Sequence, residues 1–389
     1  MRAARAEVDL TAVAHNVDAL RRAVAPALLC AVVKADGYGH GAIAVSEAAL
    51  DAGADWLGVA LVEEGAVLRK AGIEAPVLLL SQPRLADLPA ALRYDLRVCV
   101  HSTDAVEALA DAARAEHVVA RVHLKVDTGM NRVGVSPADA LEVARAVDRS
   151  PELELEGVFT HCAVADEPAN PFTDVQLDRF EVVLAELAEV GIVPALRHAA
   201  NSATAVVHPR GRYDMVRAGI SVYGLPPAPG LAAELDLRPA MELRAEVSMV
   251  KRVPAGEGIS YGLRHRTERP TTVATVPIGY ADGVPRRLGL AGGAVLVGGR
   301  RRPILGVVTM DQLMVDCGDD EVAVGDEVVL LGRQGGEAIA AEEWAERLDT
   351  IAYEIVCGIG PRVPRFYVGG RRSVEGGPGG SGSGGTRAG

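Results

Sequence analysis

A lysine that ends an apolar segment is the first residue whose position could support covalent chemistry. Lys34 closes the run LLCAVVK, and a glycine-rich loop containing Tyr38 and His40 follows it. Burial disfavours the ammonium form of a lysine, and the neutral amine is a nucleophile that forms Schiff bases with aldehydes. A lysine whose ammonium simply extends from a strand end into solvent is the competing interpretation, and the residues alone favour it.

Two later segments, HAANSA at 198–203 and RAGI at 217–220, consist mainly of small residues. Their backbone N–H groups could approach a phosphate, and Ser202 adds a hydroxyl. Arg217 could face that phosphate or the ring of a cofactor that carries it. Pyridoxal phosphate combines an aldehyde with a phosphate, so the lysine and the phosphate site together suggest this cofactor. Many barrels bind a phosphate at this place, so the phosphate site alone does not identify the cofactor.

Short β-branched runs alternate with helix-period segments in the first part of the chain. Such alternation predicts βαβ units, and eight repeats favour a (β/α)8 TIM-like barrel. An open doubly wound sheet is the alternative, but no G-x-G-x-x-G follows the first predicted strand. The predicted strands are 30–34, 56–60, 77–80, 96–100, 122–127, 157–161, 196–201 and 215–223.

Polar residues stand at the carboxyl ends of six of these runs. In a barrel these ends converge on one face, where barrel enzymes have their active sites. A single polar residue after a strand is often only the first residue of a loop. The occurrence of six such residues is what indicates a functional site. They are Lys34, Ser81, His101, Asp127, His161 and Asn201.

The pattern changes after Leu235, where helical segments become rare and short alternating runs separated by Gly, Pro and Asp follow. This pattern of short alternating runs predicts a mostly antiparallel β domain. We therefore divide the chain into a barrel at 1–235, a β domain at 236–371 and a Gly/Ser-rich tail at 372–389. The tail lacks apolar side chains to bury, and we expect it to be disordered.

Composition limits the classes of partner and the compartment. The net charge of the 389 residues is −12, which argues against a nucleic-acid or anionic-membrane surface. No apolar run is long enough to span a bilayer, and the first residues lack the apolar stretch of a secretory signal. The five cysteines are widely spaced without a C-x-x-C pair, so we expect reduced thiols in a cytoplasmic protein. We predict no metal site.

Several longer motifs occur in a fixed order along the chain: KADGYGHG, VDTGMNRVG, THCAVAD, HAANSA, VRAGISVYGL, GISYG, IGYADG, TMDQ and TIAYEIVCGIGPRVPR. Together they resemble the alanine racemase family over roughly residues 5 to 368. The resemblance implies a pyridoxal-phosphate-dependent isomerase with a barrel and a β domain. It further implies interconversion of L- and D-alanine, which supplies D-alanine for peptidoglycan, by a homodimer whose active sites are shared between subunits.

The resemblance also implies the roles of individual residues. Lys34 matches the lysine that holds the cofactor and acts as one catalytic base, and Tyr261 matches the second base, contributed by the partner subunit. Arg217 matches the arginine that faces the pyridine nitrogen, with His161 in the same network. The remaining cofactor-binding residues implied are Tyr38, Arg132, Asn201, Ser202, Gly219, Ile220 and Tyr353.

Substrate recognition is implied for a second set of residues. Arg132 matches the residue that binds the substrate carboxylate, and Lys125 matches a lysine that is often carbamylated in the family. Met310, Asp311 and Tyr280 match segments of the β domain that meet the substrate, and Tyr280 narrows the entrance together with Tyr353. The chain departs from the family pattern G-R-x-C-M-D, because Val307 and Thr309 replace the arginine and the cysteine.

Two other classes of function remain open alternatives. The first is a pyridoxal-phosphate decarboxylase with the same two-domain plan, but HAANSA and Tyr261 replace the glycine-run phosphate loop and the catalytic cysteine of those enzymes. The second is a non-enzymatic pyridoxal phosphate carrier built from a barrel alone. The β domain and its Tyr261 argue against a carrier, because a carrier needs no second base.

Overall fold

Eight parallel strands form a nearly closed barrel in the structure, a computed structural model that describes residues 4–370. They are β2 (Leu28–Val32), β3 (Trp56–Val59), β4 (Val77–Leu79), β5 (Leu96–Val100), β6 (Ala120–Lys125), β7 (Leu153–Phe159), β8 (Leu196–His198) and β9 (Met215–Ala218). They are hydrogen-bonded in the order β8-β7-β6-β5-β4-β3-β2-β9, and backbone bonds from Asp214 N to Arg197 O and from Arg217 N to Ala200 O bring the two end strands together. The predicted barrel is confirmed.

Helices follow the strands and cover the outside of the barrel with their apolar faces. Their starts carry the expected caps: Asp9 accepts hydrogen bonds from Thr11 N and Ala12 N, and Ser102 accepts one from Ala105 N. The helices of the barrel are Leu10–Val24, Ala42–Asp51, Val62–Lys70, Leu88–Arg93, Thr103–Glu116, Ala140–Asp148, Phe172–Glu189 and Ser202–Val207.

The predicted mostly antiparallel β domain is also confirmed. Its largest sheet has the order β16-β15-β18-β10-β1-β20 with β19 on β18, and β11-β14-β17 and β12-β13 form two smaller sheets. Two helices, Ala341–Leu348 and Ala352–Cys357, complete it. The strands are β1 (Arg5–Asp9), β10 (Met241–Glu246), β11 (Met249–Val253), β12 (Gly258–Ile259), β13 (His265–Arg266), β14 (Thr271–Val276), β15 (Ala294–Val297), β16 (Arg300–Pro303), β17 (Leu313–Gly318), β18 (Glu327–Gln334), β19 (Glu337–Ile339) and β20 (Arg365–Val368).

Strand β1 lies in the range predicted for the barrel but is part of the β domain's sheet. It pairs antiparallel with β10 and parallel with β20. Alternating burial of Ala4, Ala6 and Val8 predicts a strand but not the sheet that the strand joins. The division of the chain at residues 235 and 236 remains a prediction, and the predicted tail at 372–389 lies outside the described residues.

The segment after β2 is a left-handed helical turn that begins at Lys34. Ala35, Asp36, Gly37 and Tyr38 all have φ between 51° and 60°. This region is sterically unfavourable for residues with a side chain, so three of the four positions are strained. The turn reverses the chain within a few residues and leaves Lys34 at the carboxyl end of the barrel. Among residues 4–370, no helix combines the length and the apolarity that crossing a membrane requires.

We predict that Gly224, at the exit from the barrel, tolerates no side chain. Its φ is +80°, and a Cβ there would lie 1.7 Å from Arg238 O. Gly224→Ala should lower the free energy of unfolding by about 3 to 4 kcal/mol, since it adds a backbone clash to the left-handed strain. Gly191→Ala is the matched control, because Gly191 has φ +81° with no atom within 4 Å of the added Cβ. Urea unfolding that gives equal losses for both variants would contradict the clash.

Candidate active site

Lys34 lies half-buried at the carboxyl end of the barrel, and its turn is held by one carboxylate. Glu64 accepts hydrogen bonds from Ala35 N at 2.7 Å and from Ala60 N at 2.8 Å, which joins the turn to the loop after β3. Burial lowers the pKa of Lys34, and the positive charge of Arg132 lowers it further. The neutral, nucleophilic amine is therefore more populated than in a lysine in water.

Arg217, at the end of β9, is a cation enclosed by the barrel and only 4% exposed. Its guanidinium donates to His198 Nδ1 at 2.7 Å, to Thr160 O at 2.7 Å and to Ala199 O at 3.1 Å. Burial lowers the pKa of Arg217 to about 10, so the group still carries its charge at neutral pH. The barrel mouth thus contains a fixed positive charge held by neutral acceptors.

His161 adjoins this cation, with Nδ1 3.3 Å from Arg217 Nη2. Burial and the charges of Arg217 and Arg132 hold the pKa of His161 well below its usual range. The imidazole is therefore neutral and accepts a hydrogen bond from the guanidinium. His161 and Arg217 are thus in contact, while their role in one network with the second base remains a prediction.

Lys125 is buried at the end of β6 and donates to Leu80 O at 2.9 Å. Its ammonium also lies 5.2 Å from the centroid of the Phe159 ring, which Arg217 approaches at the same distance. Burial lowers the pKa of Lys125 to about 8, and the charges of Arg217 and Arg132 act in the same direction. The cations of Lys125, Arg132 and Arg217 therefore repel one another at the barrel mouth.

The side chain of Arg132 is exposed on a loop whose backbone is organised by one aspartate. Asp127 accepts hydrogen bonds from Gly129 N at 2.9 Å, Asn131 N at 3.0 Å and Arg132 N at 3.0 Å. These bonds fix the loop and leave the guanidinium of Arg132 facing solvent beside the barrel mouth.

The residues predicted to hold the phosphate come together around Gly219. Ser202 Oγ accepts a hydrogen bond from Gly219 N at 2.9 Å, and a Cβ at Gly219 would lie only 2.6 Å from Tyr38 Oη. The ring of Tyr38 lies 6.1 Å from that of Tyr353, and Ile220 follows as a buried residue. Because Gly219 lacks a side chain, the tyrosine hydroxyl and the serine hydroxyl both reach this point.

Asn201 has a structural contact that sequence reasoning did not identify. Its side-chain oxygen accepts hydrogen bonds from Thr204 N at 2.9 Å and Thr204 Oγ1 at 3.0 Å, so it caps the helix Ser202–Val207. This cap sets the position of Ser202. A direct contact between Asn201 and a cofactor remains a prediction.

Apart from Tyr353, which lies beside Tyr38, the residues predicted in the β domain form a second, exposed group. Tyr261 is 72% exposed, and Met310 and Tyr280 are exposed as well. Tyr280 N donates to Thr309 O at 2.9 Å, and Ala281 N donates to Met310 O at 3.1 Å. Within residues 4–370, no hydrogen bond, ion pair or ring contact joins Tyr261 to the barrel mouth. The predicted site residues therefore form two groups, with no such contact between Tyr261 and the barrel mouth.

The two positions that depart from the family pattern lie inside this second group. Val307 is buried, and its carbonyl accepts a hydrogen bond from Ser260 Oγ at 2.7 Å, next to Tyr261. Thr309 Oγ1 donates to Gln312 O at 2.8 Å and accepts from Gln312 N at 3.2 Å. Thr309 thus closes the turn that carries Met310.

Asp311 occupies the same turn and is bound by Arg362, a residue that was not predicted to belong to the site. Its carboxylate accepts from Arg362 Nη2 at 2.7 Å, and Arg362 also lies 3.4 Å from Asp282. Arg362 therefore bridges the Met310 turn and the segment that follows Tyr280.

Comparison with known proteins shows two family models that match consecutive parts of the chain. The sequence model of the alanine racemase N-terminal domain matches residues 8–227, and that of the alanine racemase C-terminal domain matches residues 240–367. The chain belongs to the alanine racemase family. The two family matches cover the barrel and the β domain in turn.

Individual members of the alanine racemase family are similar over nearly their whole length. The alanine racemase of Symbiobacterium thermophilum is 55% identical over 370 residues, which is 95% of this chain and 98% of the relative. The alanine racemase structure from Streptomyces lavendulae superposes with a TM-score of 0.91 at 45% identity, covering 95% and 98% of the two chains. That from Bacillus anthracis, with bound L-Ala-P, has a TM-score of 0.90 at 39% identity, covering 96% and 97%.

Sequence reasoning missed three residues that build the barrel mouth. Glu64 holds the turn after Lys34, Phe159 packs against two cations, and His198 accepts a hydrogen bond from Arg217. His198 begins the HAANSA motif, on the strand that precedes the strand of Arg217. Its position therefore offered a sequence signal for a partner of this arginine. The bond from Ala35 N to Glu64 and the contacts of Phe159 with Lys125 and Arg217 join residues far apart in the sequence, so no local pattern indicates them.

We predict that Lys34 reacts with acetic anhydride at lower pH than the exposed Lys70 in protein stripped of bound cofactor. A lysine reacts only as the neutral amine, so labelling falls as the pH drops through its pKa. Arg132→Ala should raise the pKa of Lys34 and shift its labelling curve to higher pH. The control is Arg121→Ala, which removes an exposed arginine paired with Glu154. Competitive labelling with mass spectrometry measures both curves, and an unchanged Lys34 curve in Arg132→Ala would refute the charge effect.

Proposed function

We propose that the chain interconverts L- and D-alanine with pyridoxal phosphate held at the barrel mouth. The observation that carries this proposal is the pairing of a half-buried Lys34 with an enclosed Arg217 cation in one mouth. A nucleophilic amine can bind the aldehyde of such a cofactor, and a fixed guanidinium can donate a hydrogen bond to its pyridine nitrogen. The family of the chain supports the same assignment.

The residues around Gly219 fit the phosphate of this cofactor. A Cβ at Gly219 would fill the space in front of Tyr38 Oη, so the site depends on the missing side chain. Tyr38, Ser202 and Tyr353 would bind the phosphate with their hydroxyls, and Gly219 and Ile220 with their backbone. Asn201 would support Ser202 through its cap. When bound, pyridoxal phosphate supplies a conjugated ring that withdraws electrons and acidifies the substrate's Cα–H.

Arg217 would donate a hydrogen bond to the pyridine nitrogen without giving up a proton. A guanidinium keeps its charge at neutral pH, and the pKa of about 10 retains that property here. Arg217 would therefore leave the pyridine nitrogen unprotonated and limit the negative charge placed on the ring. This limit would favour return of a proton to Cα over decarboxylation or transamination.

Two bases on opposite faces would move the Cα proton. Lys34 serves one face, and its lowered pKa keeps the amine able to accept a proton. Tyr261 serves the other face from a second copy of the chain, which agrees with its 72% exposure away from Lys34. A tyrosine base needs a neighbouring cation to favour the phenolate, and Arg217 with His161 would supply this environment across the interface.

Arg132 would bind the substrate carboxylate and the phenolic oxygen of the cofactor with its guanidinium. Lys125 is suited to carbamylation: its neutral amine attacks CO2, a N–C bond forms and one proton is released. With a pKa of about 8, roughly a tenth of the amine is neutral at pH 7. The product is a carboxylate that neutralises one of the crowded cations and can hold Arg132.

The exposed group in the β domain would complete the substrate site of the partner. Met310 and Asp311 would contact the substrate, and Tyr280 would narrow the entrance together with Tyr353 of the opposite copy. A narrow entrance selects a small side chain by steric exclusion. We place the homodimer in the cytoplasm, where its five free thiols stay reduced, and we infer that it supplies D-alanine for peptidoglycan.

A chiral product assay with and without added pyridoxal phosphate tests the proposal. We expect the purified chain to convert L-alanine to D-alanine and the reverse, to convert larger amino acids poorly, and to show visible absorbance from the bound cofactor. Lys34→Ala should lose both the absorbance and the activity, because no amine remains to bind the aldehyde. Lys70→Ala, an exposed lysine, serves as control. Release of CO2 from the substrate without racemisation would instead support a decarboxylase.

The shared site predicts complementation between two inactive variants. Lys34→Ala and Tyr261→Phe homodimers should each be nearly inactive, whereas their heterodimer regains one site with both bases. Random pairing should restore about a quarter of wild-type specific activity, since half of the dimers carry one working site of two. Co-expression with two different affinity tags isolates the heterodimer. An inactive isolated heterodimer would show that each chain uses its own Tyr261.

A further inference from the structure

A series of hydrogen-bonded side chains runs through the barrel from Arg217 to a carboxylate. Arg217 Nη1 lies 2.7 Å from His198 Nδ1, His198 Nε2 lies 2.9 Å from His123 Nδ1, and His123 Nε2 lies 3.1 Å from Glu156 Oε2. Both histidines are fully buried. Barrel interiors are usually filled by branched apolar side chains, so a buried polar series is an exception that needs a reason.

The chemistry of the end groups sets the direction of every hydrogen bond. A guanidinium only donates, so His198 Nδ1 must accept, and a neutral His198 then carries its proton on Nε2. His198 Nε2–H donates to His123 Nδ1, which leaves the proton of His123 on Nε2, where it faces Glu156. The bonds therefore run in one direction from a cation to an anion.

The surroundings keep both imidazoles neutral, as this order requires. Burial and the charge of Arg217 hold the pKa of His198 well below its usual range. Burial also lowers the pKa of His123, although Glu156 acts in the opposite sense. A protonated His198 would point an N–H at the guanidinium, and two donors would then face each other.

The barrel wall is adapted to hold this series. A Cβ at Gly157 would lie 2.4 Å from His123 Nδ1, so the strand has room for the imidazole only because residue 157 is glycine. The pairing of β6 with β7 shifts register between Val122 and His123, which pair with Leu155 and Gly157, so Glu156 is an unpaired extra residue of β7. The ring of His198 stacks on Phe159 at 4.7 Å with an interplanar angle of 4°. Three separate features thus fix the two rings.

We propose that His198, His123 and Glu156 are positioning residues that fix the donor directions of Arg217 toward the cofactor ring. The proposal rests on the proposed function for the role of Arg217, but the order of the hydrogen bonds can be tested on its own. Without an acceptor at position 156, His123 can carry its proton on Nδ1, and His198 must then carry its own on Nδ1. That N–H would face the guanidinium and displace it.

The test compares Glu156→Leu, which removes the acceptor, with Glu156→Gln, which keeps an acceptor oxygen and removes the charge. The control is Glu154→Leu on the same strand, where an exposed glutamate pairs with Arg121 at 3.6 Å. Ring 15N chemical shifts report which nitrogen of each histidine carries the proton, and single histidine substitutions assign the signals. His123→Phe, which keeps a buried ring of similar size, supplies a second break in the series with His198 as the reporter.

We expect wild type, Glu154→Leu and Glu156→Gln to show protons on Nε2 of both His198 and His123. Glu156→Leu should lose this order, and His123→Phe should lose it at His198. In the racemisation assay kcat should fall about tenfold in these two variants with KM nearly unchanged, and Glu156→Gln should stay within about twofold of wild type. Recovery by glutamine separates positioning from a merely structural role.

Unchanged 15N shifts at His198 in both Glu156→Leu and His123→Phe would overturn the proposal. Displaced tautomers with an unchanged kcat would also overturn it, because Arg217 would then not depend on the series. A wild-type chain that shows the predicted tautomers but racemises no amino acid would contradict the proposed function, and the positioning role with it, while confirming the order of the hydrogen bonds. The NMR and kinetic results therefore separate the two failures.

Discussion

Keeping a charged guanidinium inside a barrel is the constraint on which the site depends. Removing such a cation from water is costly unless hydrogen bonds replace its hydration, and Arg217 obtains them from backbone carbonyls and two neutral histidines. Burial lowers the pKa of His161, His198 and Lys125, and the charge of Arg217 lowers each of them further. The buried cation therefore adds to the effect of burial on the protonation of its neighbours.

The same constraint explains why the barrel interior is polar at a point where apolar side chains are usual. A carboxylate next to Arg217 would neutralise the charge that the pyridine nitrogen is proposed to meet. With two imidazoles in between, Glu156 ends the series of hydrogen bonds while the guanidinium keeps its positive charge toward the mouth. Gly157 makes room for the His123 ring, and the register shift between β6 and β7 leaves Glu156 as the unpaired residue beside it.

The two domains divide the chemistry between a buried and an exposed surface. The barrel contributes Lys34 and Arg217 in an environment that lowers both pKa values, whereas the β domain presents Tyr261, Tyr280 and Met310 to solvent. Strand β1 pairs with β10 and β20, so the first strand of the chain already belongs to the second domain. The β domain is thus connected covalently to both ends of the barrel.

Local patterns in the sequence were sufficient to predict the alternating strands and the change to short alternating runs after Leu235. The motifs that contain Lys34 and Tyr261 were sufficient to single out these two residues. These features depend on the order of residue types within a few turns or strands, which a sequence states directly. The contacts that decide the electrostatics could not be predicted in this way. His198, His123 and Glu156 come from β8, β6 and β7, and they meet only because the strands close into a barrel with one particular register. The pKa values of Lys34 and Lys125, and the membership of β1 in the second sheet, follow from that same closure and burial.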